Sequence, residues 1–227
     1  MRPLYLIVSA PIIVLSAIYF LLNKRVRHGL YTSRANLSYN HISNPEVNLI
    51  CYLVVGEDHR YYNHAGFDPI AIFRAISKLF QNKRLEGAST IEQQYVRTCT
   101  ARYDVSISRK IEEIAIASLL SALENKDVIA YSYLNNAYYG ETINGIMSAA
   151  ENLHFIRTDN IKFISNEAFI ISLLKNPFPN TISDAWLRKL ESRAFHIQYR
   201  YKHSKHAKKI SQLVRHWLHQ INFLSQR

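Results

Sequence analysis

Three short stretches of the chain hold side chains able to do chemistry. The first, Glu57-Asp58-His59-Arg60-Tyr61-Tyr62-Asn63-His64-Ala65-Gly66-Phe67-Asp68, concentrates acids, histidines and aromatics. If its first part is helical, Glu57, Tyr61 and His64 share one face at i, i+4, i+7. A carboxylate set among aromatic rings is partly desolvated, which suits it to proton transfer. The same residues also read as a helix end whose acids cap or pair, with Asp68 the N-cap of the next helix.

The second stretch is Gly87-Ala88-Ser89-Thr90-Ile91-Glu92-Gln93-Gln94-Tyr95-Val96-Arg97. A glycine turn into a Ser/Thr helix start presents backbone N–H groups and the positive end of a dipole, a setting for phosphate. Arg97 adds a cation two turns on, although an ordinary capped helix would show the same residues. In the third stretch, Arg109-Lys110 is followed by Glu113. Arg109 and Glu113 at i, i+4 belong either to a site or to a surface ion pair worth about 0.2–0.5 kcal/mol. His203-x-x-His206 and His216-x-x-His219 have helical spacing for a metal. No cysteine or nearby acid completes a set, so they read as solvated or lipid-facing histidines. Cys51 and Cys99 exclude a disulfide scaffold and a CxxC zinc module; they read as buried free thiols or, in an oxidising compartment, as a pair.

Helices must position these groups. Asp68-Pro69 is a helix start, with Ile70, Phe73, Ile76 and Phe80 following at helical spacing. Residues 81–87 read as an exposed break. Ser89-Thr90-Ile91-Glu92 is a capping box, which starts a helix at Ser89. A third helix covers Ser108 to about Leu123, with Ile111, Ile114, Ala115, Ser118 and Leu119 on one face. A short apolar helix runs from Asn166 to Leu174 and ends at Asn176-Pro177. Ile70, Phe73, Phe80 and Leu85, flanked by Lys78, Lys83 and Arg84, form either core or a strip that dips into a membrane interface.

Six Gly and six Pro among 227 residues exclude a turn-rich β protein and a disordered chain, while 48% hydrophobic residues supply a core. The net charge of +11 admits a polyanion, a membrane surface or an anionic substrate as partner. Most of that charge lies in the tail from Ser183 to Arg227. There Ile210, Leu213, Val214 and Trp217 make an apolar stripe suited to core docking or to anionic lipid. The tail lacks the interleaved aromatics of nucleic-acid modules, so no nucleic acid is expected. At the other end, no residue from Pro3 to Leu22 is charged, which is long enough for one transmembrane helix; a cleaved signal peptide is the rival, but the run is longer than a usual h-region and no A-x-A site follows. The count of flanking cations weakly favours the bulk of the chain on the cytoplasmic side.

Taken together, the three stretches resemble the motifs of glycosyltransferase family 51, the transglycosylase domains of penicillin-binding proteins. The likeness is to the monofunctional, membrane-anchored peptidoglycan glycosyltransferases, since no second domain is expected after Arg227. The family's E-D-x-x-F-x-x-H-x-G-x-D is matched from Glu57 to Asp68, with Tyr61 in the aromatic position. Its G-x-S-T-I-x-Q-Q-x-x-K is matched from Gly87 onward, with Arg97 replacing the lysine. Its R-K-x-x-E is Arg109, Lys110 and Glu113, and Y-L-N-x-x-Y-[FL]-G is the run from Tyr133 to Gly140. A weaker fifth motif matches Glu167 to Pro177. Tyr131, Met147, Ser121 and Thr98 depart from the family's usual residues.

The resemblance implies a mainly α, lysozyme-like fold. It divides into an anchor at residues 1–23, a juxtamembrane linker at 24–46, a glycosyltransferase domain at 47–180 and a basic helical tail at 181–227. It implies polymerisation of lipid II into β-1,4 glycan strands, inverting at C1 and releasing polyprenyl pyrophosphate. A glycan-cleaving enzyme of the same fold and a catalytically weak membrane scaffold are the alternatives. Glu57 is then the base and Glu113 the second catalytic carboxylate. Asp58, His64, Gly66, Asp68, Ser89, Thr90, Gln93, Gln94, Arg97, Arg109, Lys110, Asn135 and Tyr138 contact substrate. Glu113 is also the residue offered to a divalent cation, Mg2+ or Mn2+. The implied partners are lipid II, the growing glycan strand, the membrane and other cell-wall synthesis proteins. The implied location is the bacterial cytoplasmic (inner) membrane, single-pass, with the catalytic domain outside; this overrides the marginal charge count.

Overall fold

The computed structural model describes residues 3–39, 44–81, 87–141, 143, 145–156 and 164–203. Among these, the helices are α1 (Pro3–Leu22), α2 (Lys24–Ala35), α3 (Asn44–Glu57), α4 (Pro69–Phe80), α5 (Ile91–Thr100), α6 (Ile107–Leu123), α7 (Lys126–Asn136), α8 (Gly145–Ile156), α9 (Asn166–Leu173) and α10 (Asp184–His203). The described residues hold no strand, only an isolated bridge between Gly140 and Phe178. The chain is mainly α, as expected. It divides into two compact units: Met1–Ser38 with Arg60–Tyr133, and Tyr39–His59 with Leu134–Arg227.

In the first unit, α2, α5 and α6 pack on one another and α1 lies along α6. The stretch expected to be a linker therefore contains a packed helix. Val26, Gly29, Leu30 and Ser33 are buried at i, i+3, i+4, i+7, the spacing of a helix face. Two of the four are Gly and Ser, so the face carries almost no hydrophobic signal. Its close approach needs the small residue: a Cβ on Gly29 would lie 2.5 Å from Ile116 Cδ1. Tyr95 ties the helix down by donating its hydroxyl to the Ser33 carbonyl at 2.8 Å.

The helix starts obey the capping chemistry with small shifts. Asp68 Oδ1 accepts from the Ile70 and Ala71 amides, both at 3.1 Å, and caps α4. Thr90, not Ser89, caps α5, accepting from Gln93 N at 3.3 Å. The capping-box spacing is thus met by Thr90 and Gln93, and Ser89 is left for another role. On α6, Ala115 to Leu120 are buried, whereas Ile111 is 52% exposed. The expected apolar face therefore does not begin until later in the helix.

Two apolar surfaces remain. On α4, Ile70, Phe73 and Phe80 are exposed, the last two by 75% and 83%, so the core reading does not hold for them. Lys83, Arg84 and Leu85 lie outside the described residues. On α1, Ile7, Val14, Leu15, Ile18, Leu21 and Leu22 are all exposed. Among the described residues no single helix is long and apolar enough to cross a membrane. Ser9–Leu22 and Lys24–Ala35, bent by 108°, meet that length and composition together.

In the second unit, α3, α9 and α10 pack together. Leu190, Ala194 and Ile197 of α10 are buried at i, i+4, i+7, so this part of the basic tail is a core helix. Gly56 lets it approach: a Cβ there would lie 3.1 Å from Ile171 Cγ2 and 3.3 Å from Ile197 Cδ1. Tyr52 stacks on Tyr201 at 4.1 Å and donates to Gln198 Oε1 at 3.0 Å. The stripe of Ile210, Leu213, Val214 and Trp217, and the pairs completed by His206, His216 and His219, lie outside the described residues.

Truncating a fully buried Ile on α10 should leave a cavity and cost about 2–4 kcal/mol. Ile197→Ala should therefore lower the midpoint of urea unfolding clearly. Phe195→Ser, at a position 61% exposed, should stay within about 0.5 kcal/mol of the parent.

Candidate active site

Two clusters of the sequence-selected residues form, one in each unit. In the first unit, α5 and α6 bring the second and third stretches onto a single carboxylate, Glu113, whose side chain is only 3% exposed. Arg97 holds it with two prongs, Nε to Oε2 and Nη2 to Oε1, both at 3.0 Å. Lys110 Nζ donates to Oε1 at 2.7 Å, and Arg109 Nη1 donates to Oε2. Arg109 and Glu113 are therefore part of a cluster, not an isolated surface pair.

Lys110 Nζ also donates to Ser89 Oγ at 2.9 Å and to Gln93 Oε1 at 2.6 Å, while Arg97 Nη2 lies 3.4 Å from Ser89 Oγ. Three cations face one carboxylate, leaving two formal positive charges in excess. Burial pushes the Glu113 carboxyl up, but hydrogen bonds from Arg97 and Lys110 outweigh it and hold it below the ordinary carboxylate value. Burial pulls the Lys110 ammonium down, helped by Arg97 and Arg109 and opposed by Glu113. The Glu113 hydrogen bond raises Arg97 further. Such a cluster is built to receive an anion of more than one charge.

The same cluster bears on the divalent cation. Both oxygens of Glu113 already accept hydrogen bonds from cationic side chains. A metal at this carboxylate would sit among three positive groups, so Glu113 in this arrangement does not fit the role of a metal ligand.

Gly66 fastens α5 to the turn before α4. Its carbonyl accepts from Thr90 Oγ1 and Gln93 Nε2, each at 3.0 Å. Its φ is +71°, and a Cβ there would lie 2.3 Å from the Ala117 carbonyl oxygen. Gln93 thus braces Lys110 on one side and Gly66 on the other. Gln94 accepts from the Tyr133 hydroxyl at 2.9 Å, joining the second motif to the fourth. Asp68, besides capping α4, accepts from Arg60 Nε at 2.8 Å. Gly66, Thr90 and Asp68 thus act in the described residues as scaffold.

His64 is fully buried, its Nδ1 4.0 Å from Glu92 Oε1. Glu92 is also fully buried and pairs with Lys126, whose Nζ lies 4.3 Å from the centre of the Tyr61 ring. Sequence reasoning missed Glu92 and Lys126 as partners. The available signal was a carboxylate one position after Ile91 and three before Tyr95, the apolar positions that α5 buries.

In the second unit stands Glu57, the last residue of α3, with its side chain 2% exposed. Its Oε1 accepts from Arg193 Nη2 of α10, and Lys175 Nζ lies 3.4 Å from Oε2. The shared helical face of Glu57, Tyr61 and His64 does not form, because α3 ends at Glu57 and Tyr61–Asn63 is a separate 3-10 turn. Cations, rather than the expected aromatic cage, define these contacts of the carboxylate. In the sequence Arg193 is one tail charge among many. It falls three residues after Leu190 and four before Ile197, so the stripe's own spacing turns it inward.

Asp58 is buried directly after α3, its amide donating to Val54 O at 3.0 Å. Asn135 and Tyr138 also belong to the second unit, Tyr138 being 60% exposed. Of the departures, Tyr131 is buried and Met147 is 74% exposed. Thr98 donates to the Gln94 carbonyl at 3.0 Å. Both cysteines are free, and burial pushes the Cys99 thiol up to about 11.

A family model described as Transglycosylase matches residues 24–202. The chain belongs to the transglycosylase family. Penicillin-binding protein 1A of Rickettsia typhi is 38% identical over 140 residues, 60% of this chain and 18% of that protein. Penicillin-binding protein 1A of Escherichia coli is 38% identical over 125 residues, 55% of this chain and 15% of its own length. A monofunctional glycosyltransferase of Staphylococcus saprophyticus is 35% identical over 134 residues, 56% of this chain and 50% of that protein. The chain thus spans half or less of each of these relatives. The transglycosylase match begins at Lys24 and so takes in α2, in accord with its packing.

Two substitutions in this transglycosylase test the arrangement. A carboxyl held below its ordinary value stabilises the fold above the unfolded-state pKa of about 4.3, and that stability is lost as pH falls through the folded value. Glu113→Gln should therefore flatten the fall of Tm below about pH 4. By pulling Lys110 down further, it should also move the alkaline limb of any anion binding to lower pH. Gly66→Ala should lower Tm severely, since about 1–3 kcal/mol of backbone strain adds to a clash with main chain.

Proposed function

We propose that this chain is a membrane-bound peptidoglycan glycosyltransferase that polymerises lipid II. The observation that carries this reading is the convergence of Arg97, Arg109 and Lys110 on Glu113, with Ser89 and Gln93 bound to Lys110. A hydrolase acting on a neutral glycan has no use for an anion site of this charge. A transferase with a C1-pyrophosphate donor needs one, because negative charge develops on the departing pyrophosphate in the transition state.

In this reading Glu57 takes the proton from the acceptor 4-hydroxyl. The oxygen then attacks the donor C1 from the face opposite the leaving group, which inverts that centre. The pyrophosphate departs with its polyprenyl chain into the field of Arg97, Arg109 and Lys110. Glu113 keeps these cations converged and at their stations; it is their anchor more than a reactant. Arg193 and Lys175 hold the Glu57 side chain in one place. General base catalysis of this kind contributes about 10²–10⁴ in rate.

The exposed apolar side chains of α1 and α4 support attachment to the bilayer that carries such a substrate. In this reading the N-terminal apolar segment is the anchor, with the catalytic machinery outside the cytoplasmic membrane. The exposed Phe73 and Phe80 of α4 dip into the interface. Other cell-wall synthesis proteins are the partners this placement allows. The helical, strand-free described residues are consistent with a lysozyme-like domain.

A polymerisation assay on fluorescent lipid II tests the reading. The parent should make glycan strands, and Glu57→Gln should fall below a tenth of its rate with an unchanged circular dichroism spectrum. Shortening of glycan chains would identify a cleaving enzyme instead, and binding without turnover by the parent a scaffold. Arg109→Ala and Lys110→Ala should each lower kcat/KM by the equivalent of about 2–4 kcal/mol. Near-parental values for both would place the leaving group elsewhere. In vesicle flotation, Phe73→Ser with Phe80→Ser should weaken association of a protein lacking residues 1–23.

A further inference from the structure

Beside the cation cluster, within the first unit, lies a cavity of about 630 Å³ that none of the expected site residues called for. It opens between α2, α5 and α6. Lys24, Arg25 and His28, on the first turns of α2, are exposed and line it. Val96 and Ile116 line it as well and are buried, giving it an apolar floor. Arg109 and Glu113 line it too, so the cavity adjoins the anion-binding cluster from the side of α2. Its size is that of a small-molecule site; the paired Arg102 and Glu112 also line it, so it joins charged groups to an apolar floor.

The position along the chain says what class of ligand this suits. Lys24 comes directly after the apolar segment Ser9–Leu22, across the 108° bend at Asn23. Asn23 fixes the bend by capping α2, its Oδ1 accepting from Arg25 N at 2.8 Å and Val26 N at 3.3 Å. Where α1 lies in the bilayer, the mouth of the cavity stands at the level of the lipid headgroups. A ligand arriving there carries phosphate at its head and an apolar chain behind it. We propose that the cavity between α2, α5 and α6 binds a phosphate-bearing lipid, its phosphate at Lys24, Arg25 and His28 and the first part of its apolar chain on Val96 and Ile116. This rests on the membrane placement in the proposed function. It adds a lipid site on the α2 side of the cations that meet the reacting pyrophosphate, with Arg109 at the border of the two. Two sources share the chemistry: the polyprenyl pyrophosphate released by the reaction, and an ordinary anionic phospholipid.

Binding to the full chain in neutral detergent micelles, measured calorimetrically with three probes, tests this without turnover. The probes are farnesyl pyrophosphate, dihexanoyl phosphatidylglycerol and inorganic pyrophosphate. Lys24→Ala with Arg25→Ala removes charge at the mouth, and Thr32→Phe fills the cavity without touching a charge. A loss of tenfold or more in farnesyl pyrophosphate affinity in both variants, with inorganic pyrophosphate unchanged in Thr32→Phe, supports the site and names the polyprenyl source. The same pattern with phosphatidylglycerol alone supports the site with a bulk-lipid source. The inference is overturned if neither lipid's affinity moves in either folded variant, or if Thr32→Phe weakens inorganic pyrophosphate as much as the lipid. A chain that polymerises lipid II yet fails here loses only this inference; one that binds as expected but polymerises nothing loses only the proposed function.

Discussion

Two like charges about 4 Å apart repel by about 4 kcal/mol at the effective dielectric of a protein surface. Arg97, Arg109 and Lys110 can therefore share a small volume only because the Glu113 carboxylate stands between them. That one buried anion sets the relation of α5 to α6, since Arg97 comes from the first helix and the other three charges from the second. It offsets one of the three positive charges, so the cluster keeps a net positive charge while its members stay close together. The stations of Ser89 and Gln93 depend on it through Lys110.

The same device recurs in the first unit. Buried Glu92 holds Lys126 and faces His64, and buried Glu112 holds Arg102. Breaking a buried pair by removing one partner leaves an uncompensated charge, which is why such groups are expensive to change. In the second unit the order is reversed: one buried carboxylate, Glu57, is held by two cations, Arg193 and Lys175. Helix α10 thereby joins packing to chemistry, because the residues that dock it on α3 and α9 also deliver Arg193.

Small residues decide where backbones can approach. Gly66 sits where a side chain would strike the Ala117 carbonyl, and Gly29 and Gly56 sit where helices meet most closely. The turn at Gly66 carries the carbonyl that Thr90 and Gln93 share, so a backbone conformation open mainly to glycine positions a side chain in the cation cluster. Outside these contacts, α1 and α4 leave apolar side chains uncovered.

Helices and caps were legible in the residues, because capping, proline placement and 3.6-residue periodicity are local. Asp68, the start of α6 and the short α9 appear where those rules put them. The motif spacing likewise set out Glu57, Arg97, Arg109, Lys110 and Glu113 as the charged groups to watch. Three features were not legible. Helix α2 hides its buried face in Gly and Ser, so hydrophobic patterning passes over it. The chain ends α3 at Glu57, so the helical face expected to carry Glu57, Tyr61 and His64 does not continue. Arg193 reaches Glu57 across 136 positions, a pairing that no local rule contains. Local propensity depends on neighbours in the chain, and so the sequence alone determined the elements and the chemical inventory. Which cation meets which carboxylate depends on burial and on contacts between distant segments, and only the tertiary structure decided that.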